Sequence, residues 1–143
     1  AKLIFIEHIT PNVIWQPHLM NHPNGAVKLA EIALCVDDKA ATCARFTRLL
    51  GRNLKDLNPE FSAYEMERGR VYVLSEKGIA SWAPGVTPPA LPYVAGFGVE
   101  VTDLAATRRY LEGNGVTVHD HPYPALWVGP EFTKGPVVSF IQS

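Results

Sequence analysis

Apolar and polar residues alternate over residues 29–36, with Ile32, Leu34 and Val36 on one side and Glu31, Ala33 and Cys35 on the other. That period predicts a strand with one face against a helix. The period then lengthens: Ala41, Ala44, Arg45, Phe46, Leu49 and Leu50 recur at helical spacing as far as Gly51, a C-cap. Asp37 and Asp38 stand just before this run, where a carboxylate accepts from the free N–H groups of a first turn. Residues 61–66 and 70–74 flank Glu67-Arg68-Gly69 as the strands of a hairpin flank a turn. The same order then returns 65 residues later, where Val99, Val101, Asp103, Ala105, Ala106, Thr107 and Leu111 answer Leu34, Val36, Asp38, Ala40, Ala41, Thr42 and Phe46. A strand over 93–101, a helix over 103–111 ended by Gly113-Asn114-Gly115, and strands over 116–119, 126–128 and 137–141 complete the second copy. The last two are divided by a turn around Gly129-Pro130 and Gly135-Pro136.

The pattern predicts an α+β fold: two tandem β-α-β-β-β modules forming a curved sheet with a concave cleft, helices packed on the convex side. The expected parts are an N-terminal strand over 2–8, a connecting loop over 9–28, modules over 29–76 and 93–143, and a linker over 77–92. Gly78, Pro84, Gly85, Pro88, Pro89 and Pro92 argue that the linker holds neither helix nor central strand. Residues 3–7 echo residues 138–142, the closing strand. The start of the chain is therefore either an ordinary first strand or the end of an earlier module, the chain then being the C-terminal portion of a longer parent.

Composition narrows the function. A chain of 143 residues, 47% hydrophobic, is one domain's worth of sequence. A net charge of −1 without basic runs gives no footprint for nucleic acid. Apolar stretches are strand-sized and the start lacks signal-peptide grammar, which predicts no membrane association and a cytoplasmic location. Cys35 and Cys43, the two cysteines, have neither disulfide nor zinc spacing and are expected as buried thiols.

The stretch A-E-I-A-L-C-V-D-D, its echo over 96–103 and the closing G-P-V-V-S-F-I-Q resemble the glyoxalase I, bleomycin-resistance and extradiol-dioxygenase superfamily, also called vicinal oxygen chelate proteins. The segment E-H-I-T-P-N-V-I-W-Q-P-H-L-M-N-H-P-N-G-A with the later L-W-V-G-P-E-F is similar to a glyoxalase-like group within it. The resemblance implies a divalent metal held by ligands from the opening and closing strands of each module. Here those positions carry Glu31, Gly96, Tyr72 and Ser139. One good ligand in four argues against such a metal, so no metal residue is assigned and the cofactor stays open. His119 with His121 and His18 with His22 have spacings that bring imidazoles together, but Pro17, Pro23 and Pro122 favour solvated, loop-borne histidines.

An organic ligand is better supported. Alternation puts Glu31, Ala33 and Cys35 with Gly96, Gly98 and Glu100 on the cleft face, where small residues leave room. Glu31 is the expected acid or base, since loss of water on such a face disfavours a carboxylate's charged form; pairing with Arg68 or Arg70 is the alternative. Trp15, Tyr72 and Trp127 supply candidate walls, and His18 and His22 are further candidate contacts. The Tyr72 and Ser139 hydroxyls are placed to hold a substrate oxygen where relatives use a metal. Three readings follow: a glyoxalase-like lyase, isomerase or oxygenase acting on a small organic molecule, a non-catalytic binder of the bleomycin-resistance type, or half of a larger protein. Strand edges favour a homodimer.

Overall fold

The computed structural model describes residues 6–142. Strand β1 (Ala26–Cys35) leads through Asp38 into helix α2 (Lys39–Leu50), then β2 (Lys55–Asn58), β3 (Phe61–Met66) and β4 (Gly69–Leu74). Before β1 lie a four-residue helix α1 (Pro11–Ile14) and a 3-10 turn (Pro17–Leu19). The second half runs β5 (Tyr93–Val101), α4 (Leu104–Gly113), β6 (His119–Asp120), β7 (Ala125–Val128), a short α5 (Pro130–Thr133) and β8 (Val137–Gln142). Between the halves stands α3 (Glu76–Trp82).

All eight strands join one mixed, curved sheet in the order β2-β3-β4-β1-β5-β8-β7-β6. Each opening strand lies parallel to its closing strand, β1 to β4 and β5 to β8, and the two opening strands meet antiparallel at the centre. The repeat is visible in that central register: Glu31 faces Gly98, and Ala33 faces Gly96. Glu31 moved 65 places forward falls on Gly96 and Gly98 moved 65 places back falls on Ala33, so the first pair maps onto the second, as a two-fold relation between modules requires.

Alternation sorts the two faces. Val36, Cys43, Tyr64 and Val73 pack under α2, and Val101, Leu126, Val128 and Phe140 pack with Leu104 and Leu111 of α4. Both helices therefore cover the convex side. Asp38 and Asp103 cap them as the sequence suggests, accepting from Ala41 N at 2.8 Å and Ala106 N at 2.9 Å, and Gly51 closes α2 in the left-handed region at φ +60. Each cap supplies an acceptor to an otherwise free N–H group, so Asp38→Ala and Asp103→Ala should each lower stability by about 1 kcal/mol. Urea unfolding checks this, and unchanged midpoints in both variants would contradict it.

Besides the strand expected over 116–119, of which only His119 is in strand because β6 covers His119–Asp120, three expectations need correction. The linker does contain a helix, because its prolines begin only at Pro84, after α3 has ended, while Ser75 caps α3 by accepting from Gly78 N at 3.2 Å. Gly78 is required by space: a Cβ there would lie 3.0 Å from the Glu60 carbonyl oxygen. This helix lies on the concave side, with Ile79 packed among Ala33, Cys35, Leu74 and Ala95. Secondly, β1 begins at Ala26, so the connecting loop is shorter than expected and itself carries α1 and the 3-10 turn. Thirdly, residues 2–5 of the expected first strand lie outside the described residues, and residues 6–8 are not in a strand. Among the described residues no helix is long and apolar enough to cross a membrane.

Candidate functional site

Placing α3 over the concave face leaves a cleft of about 270 Å³ that draws on both modules. Ala33 and Tyr72 come from β1 and β4, Phe61 from β3, Trp82 from α3, and His121 and Tyr123 from the loop between β6 and β7. Its walls are mostly aromatic.

At one edge the Tyr72 hydroxyl donates at 3.1 Å to Glu31, whose side chain is 13% exposed, also accepts from Arg70 Nη1 at 3.3 Å, and borders a neighbouring hollow with Glu65 and Glu100. Arg70 turns its Nε to both oxygens of Glu65, each at 3.0 Å. Burial, with the Glu31 charge adding to it, pushes the Tyr72 phenol up to about 12. Tyr72 is thus a neutral O–H donor at physiological pH, poised between a carboxylate and the cleft.

At the other edge His121 is 8% exposed and pairs through Nε2 with the Ser139 hydroxyl at 3.2 Å. The Tyr123 ring is stacked on it at 4.6 Å, and Trp82 stands 6.0 Å away. Trp82 Nε1 donates to the Tyr123 hydroxyl at 3.3 Å, closing an aromatic ring of contacts. Burial lowers the His121 pKa from 6.5 to about 4 and keeps the imidazole neutral. The sign of the consequence follows from linkage: the unfolded chain takes up a proton below pH 6.5 while the folded chain does not until about pH 4. This residue's contribution is complete above pH 6.5 and is lost by up to about 3 kcal/mol as pH falls to 4. Urea titrations across that window should show a shallower fall for His121→Gln, and an identical pH slope in the variant would contradict this.

The sequence-derived candidates divide. Ala33 and Tyr72 border the cleft, and Glu31 reaches it through Tyr72. Gly96 and Gly98 do face it, but they make room for side chains of this chain: a Cβ on Gly96 would fall 2.3 Å from the Trp82 ring, and one on Gly98 would fall 2.8 Å from Glu31 Cβ. Cys35 is fully buried in the core under α3, where burial raises its thiol pKa. Glu100 pairs with Lys28 at 2.9 Å outside the cleft. Ser139 is buried beneath His121. Trp127 is buried beside Ala83 and Val137, with His119 stacked on it at 4.2 Å, and borders a different hollow. Trp15 and His22 line a separate hollow of about 730 Å³ with Val27, Leu29 and Val99, and His18 sits exposed in the 3-10 turn. The expectation of solvated histidines fails for His121, whose ring is covered by Tyr123 and held by Ser139.

Trp82 and Tyr123 were not legible as site residues. Trp82 precedes a proline-rich stretch, and Tyr123 lies between Pro122 and Pro124. The spacing of His119 and His121 was the one available signal for the second edge.

The donor set does not suit a divalent metal at the four positions the resemblance implies for one. Glu31 is engaged by Arg70 and Tyr72, Gly96 carries no donor and lies under Trp82, and Tyr72 and Ser139 offer neutral hydroxyls. Among the described residues no three His, Cys, Asp or Glu side chains gather as a metal-binding group.

No protein-family model and no curated protein sequence matches this chain. Solved structures do. Methylmalonyl-CoA epimerase from Mycobacterium tuberculosis superposes with a TM-score of 0.64 over 86% of this chain and 92% of that one, at 14% identity. A Streptomyces coelicolor methylmalonyl-CoA epimerase holding 2-nitronate-propionyl-CoA gives 0.55 over 82% and 98%, at 15% identity. A glyoxalase/bleomycin resistance protein/dioxygenase superfamily member from Vibrio splendidus also gives 0.55, over 81% and 98%, at 15% identity. With paired modules, a central antiparallel seam and a shared concave face, the chain has the vicinal oxygen chelate fold of glyoxalase-like proteins.

Proposed function

We propose that this glyoxalase-like protein binds a small organic molecule in the aromatic cleft and acts on it with Glu31 as acid or base and Tyr72 as hydrogen-bond donor. The observation that carries the reading is the Glu31–Tyr72 pair, a carboxylate and a neutral phenol 3.1 Å apart at the edge of an apolar cleft. In this reading the carboxylate takes a proton from carbon next to a carbonyl, and the Tyr72 O–H turns from Glu31 to donate to the substrate oxygen on which charge develops. Arg70 anchors the carboxylate at Oε1, the same oxygen that accepts from Tyr72. Lyase and isomerase chemistry both need this proton transfer. Two of the superposed structures are epimerases, which is consistent with it.

A second reading is non-catalytic binding, favoured by the Arg70 ion pair, which stabilises the carboxylate in place. The test separates them. A panel of 1,2-dicarbonyls, 2-hydroxy ketones and acyl thioesters is offered to the protein while product and the exchange of the substrate's α-hydrogen for deuterium are followed. Turnover or exchange of at least one compound supports the catalytic reading. Binding in the cleft without exchange by any of them favours the sequestering protein, and no binding in the cleft overturns both.

A further inference from the structure

We propose that the cleft selects an uncharged, flat molecule whose polar edge hydrogen-bonds Nδ1 of His121. The inference rests on the reading that this cleft is the binding site, and it names the class of ligand.

Nδ1 of His121 is buried and has no hydrogen-bond partner among the described residues. Leaving such an atom unpaired costs about 1–3 kcal/mol, and folded proteins keep few of them. The other nitrogen is already committed to Ser139, so the ring cannot turn to relieve the first without abandoning the second. What covers the imidazole is Tyr123, itself 47% exposed and tied down through its hydroxyl by the 3.3 Å bond from Trp82. A flat ligand that displaces Tyr123 from this face uncovers the imidazole, and lying edge-on in the plane of the His121 ring it would bring its polar edge to Nδ1. The Ser139 hydroxyl both donates and accepts, so the neutral imidazole can present Nδ1 either as acceptor or as donor.

Charge selects the class. None of the side chains bordering the cleft is a lysine, arginine, aspartate or glutamate, and His121 is neutral. Among the charged groups beside it, Glu31 is bonded to the lining Tyr72 and repels an anion, and the Arg70 guanidinium is already shared between Glu65 and Glu31. An anionic ligand would leave water without a counter-charge. Phe61, Tyr72, Trp82 and Tyr123 offer faces for a ring instead.

The test uses the full, nitrogen-15-labelled chain titrated with benzamide, catechol and benzoate at pH 7, following the ring nitrogens of His121 and the indole N–H of Trp82. Benzamide and catechol should move both signals, and benzoate should bind at least about tenfold more weakly. His121→Phe should weaken benzamide binding by about 2–10-fold, and the nitrogen signals of the unmodified protein decide the matter should that variant fold poorly. Benzoate binding as tightly as benzamide while moving Trp82 would overturn the selection for neutral ligands and leave the cleft as the site. A shift of Trp82 with no change at His121 Nδ1 would overturn the named contact. No response at Trp82 to any probe would overturn the cleft reading and this inference with it.

Discussion

Replacing Glu31 by glutamine should lower turnover, on any substrate the panel identifies, by at least about 100-fold, the ordinary contribution of a positioned acid or base. The substitution keeps the shape of the side chain and its acceptor for Tyr72 and Arg70, so binding should change little. Its structural cost is modest, about 1 kcal/mol or less, because Arg70 is half-exposed and retains Glu65. A loss of rate with preserved affinity and preserved melting temperature is therefore the expected signature. Steady-state kinetics with a parallel thermal melt measure all three, and full activity in the variant would remove Glu31 from the chemistry. Tyr72→Phe is its companion, since the raised pKa of that phenol makes it a donor and not a base.

Replacing Gly96 by alanine should be the most damaging single-methyl change available in the cleft wall. The new Cβ would lie 2.3 Å from Trp82 and 2.6 Å from the Val137 carbonyl oxygen, and the second of these is backbone in the neighbouring strand β8. Trp82 cannot retreat freely, because its ring is packed with Val86 beside Trp127 and Val137 and bonded to Tyr123. Overpacking of this kind costs about 1–3 kcal/mol, towards the upper end where backbone must yield. The variant should therefore unfold at markedly lower urea concentration, and Trp82, pushed aside, should release Tyr123. A wild-type unfolding midpoint would show that the glycine is not held by this contact.

How far the sequence reveals the fold depends on how local the cause is. The two modules were legible because alternation, caps and the 65-residue repeat are short-range signals, and the Asp38 and Asp103 caps sit where those signals put them. Helix α3 was not, since proline density over the whole stretch outweighed the seven residues before Pro84 that form it. The cleft face was legible in part as a face: Ala33 and Tyr72 border the cleft, while Gly96 makes room for Trp82 and Gly98 for Glu31. What fills that face was not, because Trp82 arrives from an element the pattern missed and His121 from a loop whose prolines suggested exposure. Small residues in a strand signal close approach by something, and here two such residues accommodate the chain's own Trp82 and Glu31. Trp15 and His22 illustrate the opposite limit, since aromatic and imidazole groups in a loop say nothing of which hollow they will line.

The most direct test of the cleft as the binding site is a crystal of this protein soaked with a mixture of small, neutral ring compounds. Density is expected between Phe61, Tyr72 and Trp82, with Tyr123 displaced from Trp82. Compounds gathered instead in the larger hollow beside Trp15 and Met20, with the cleft unaltered, would contradict it.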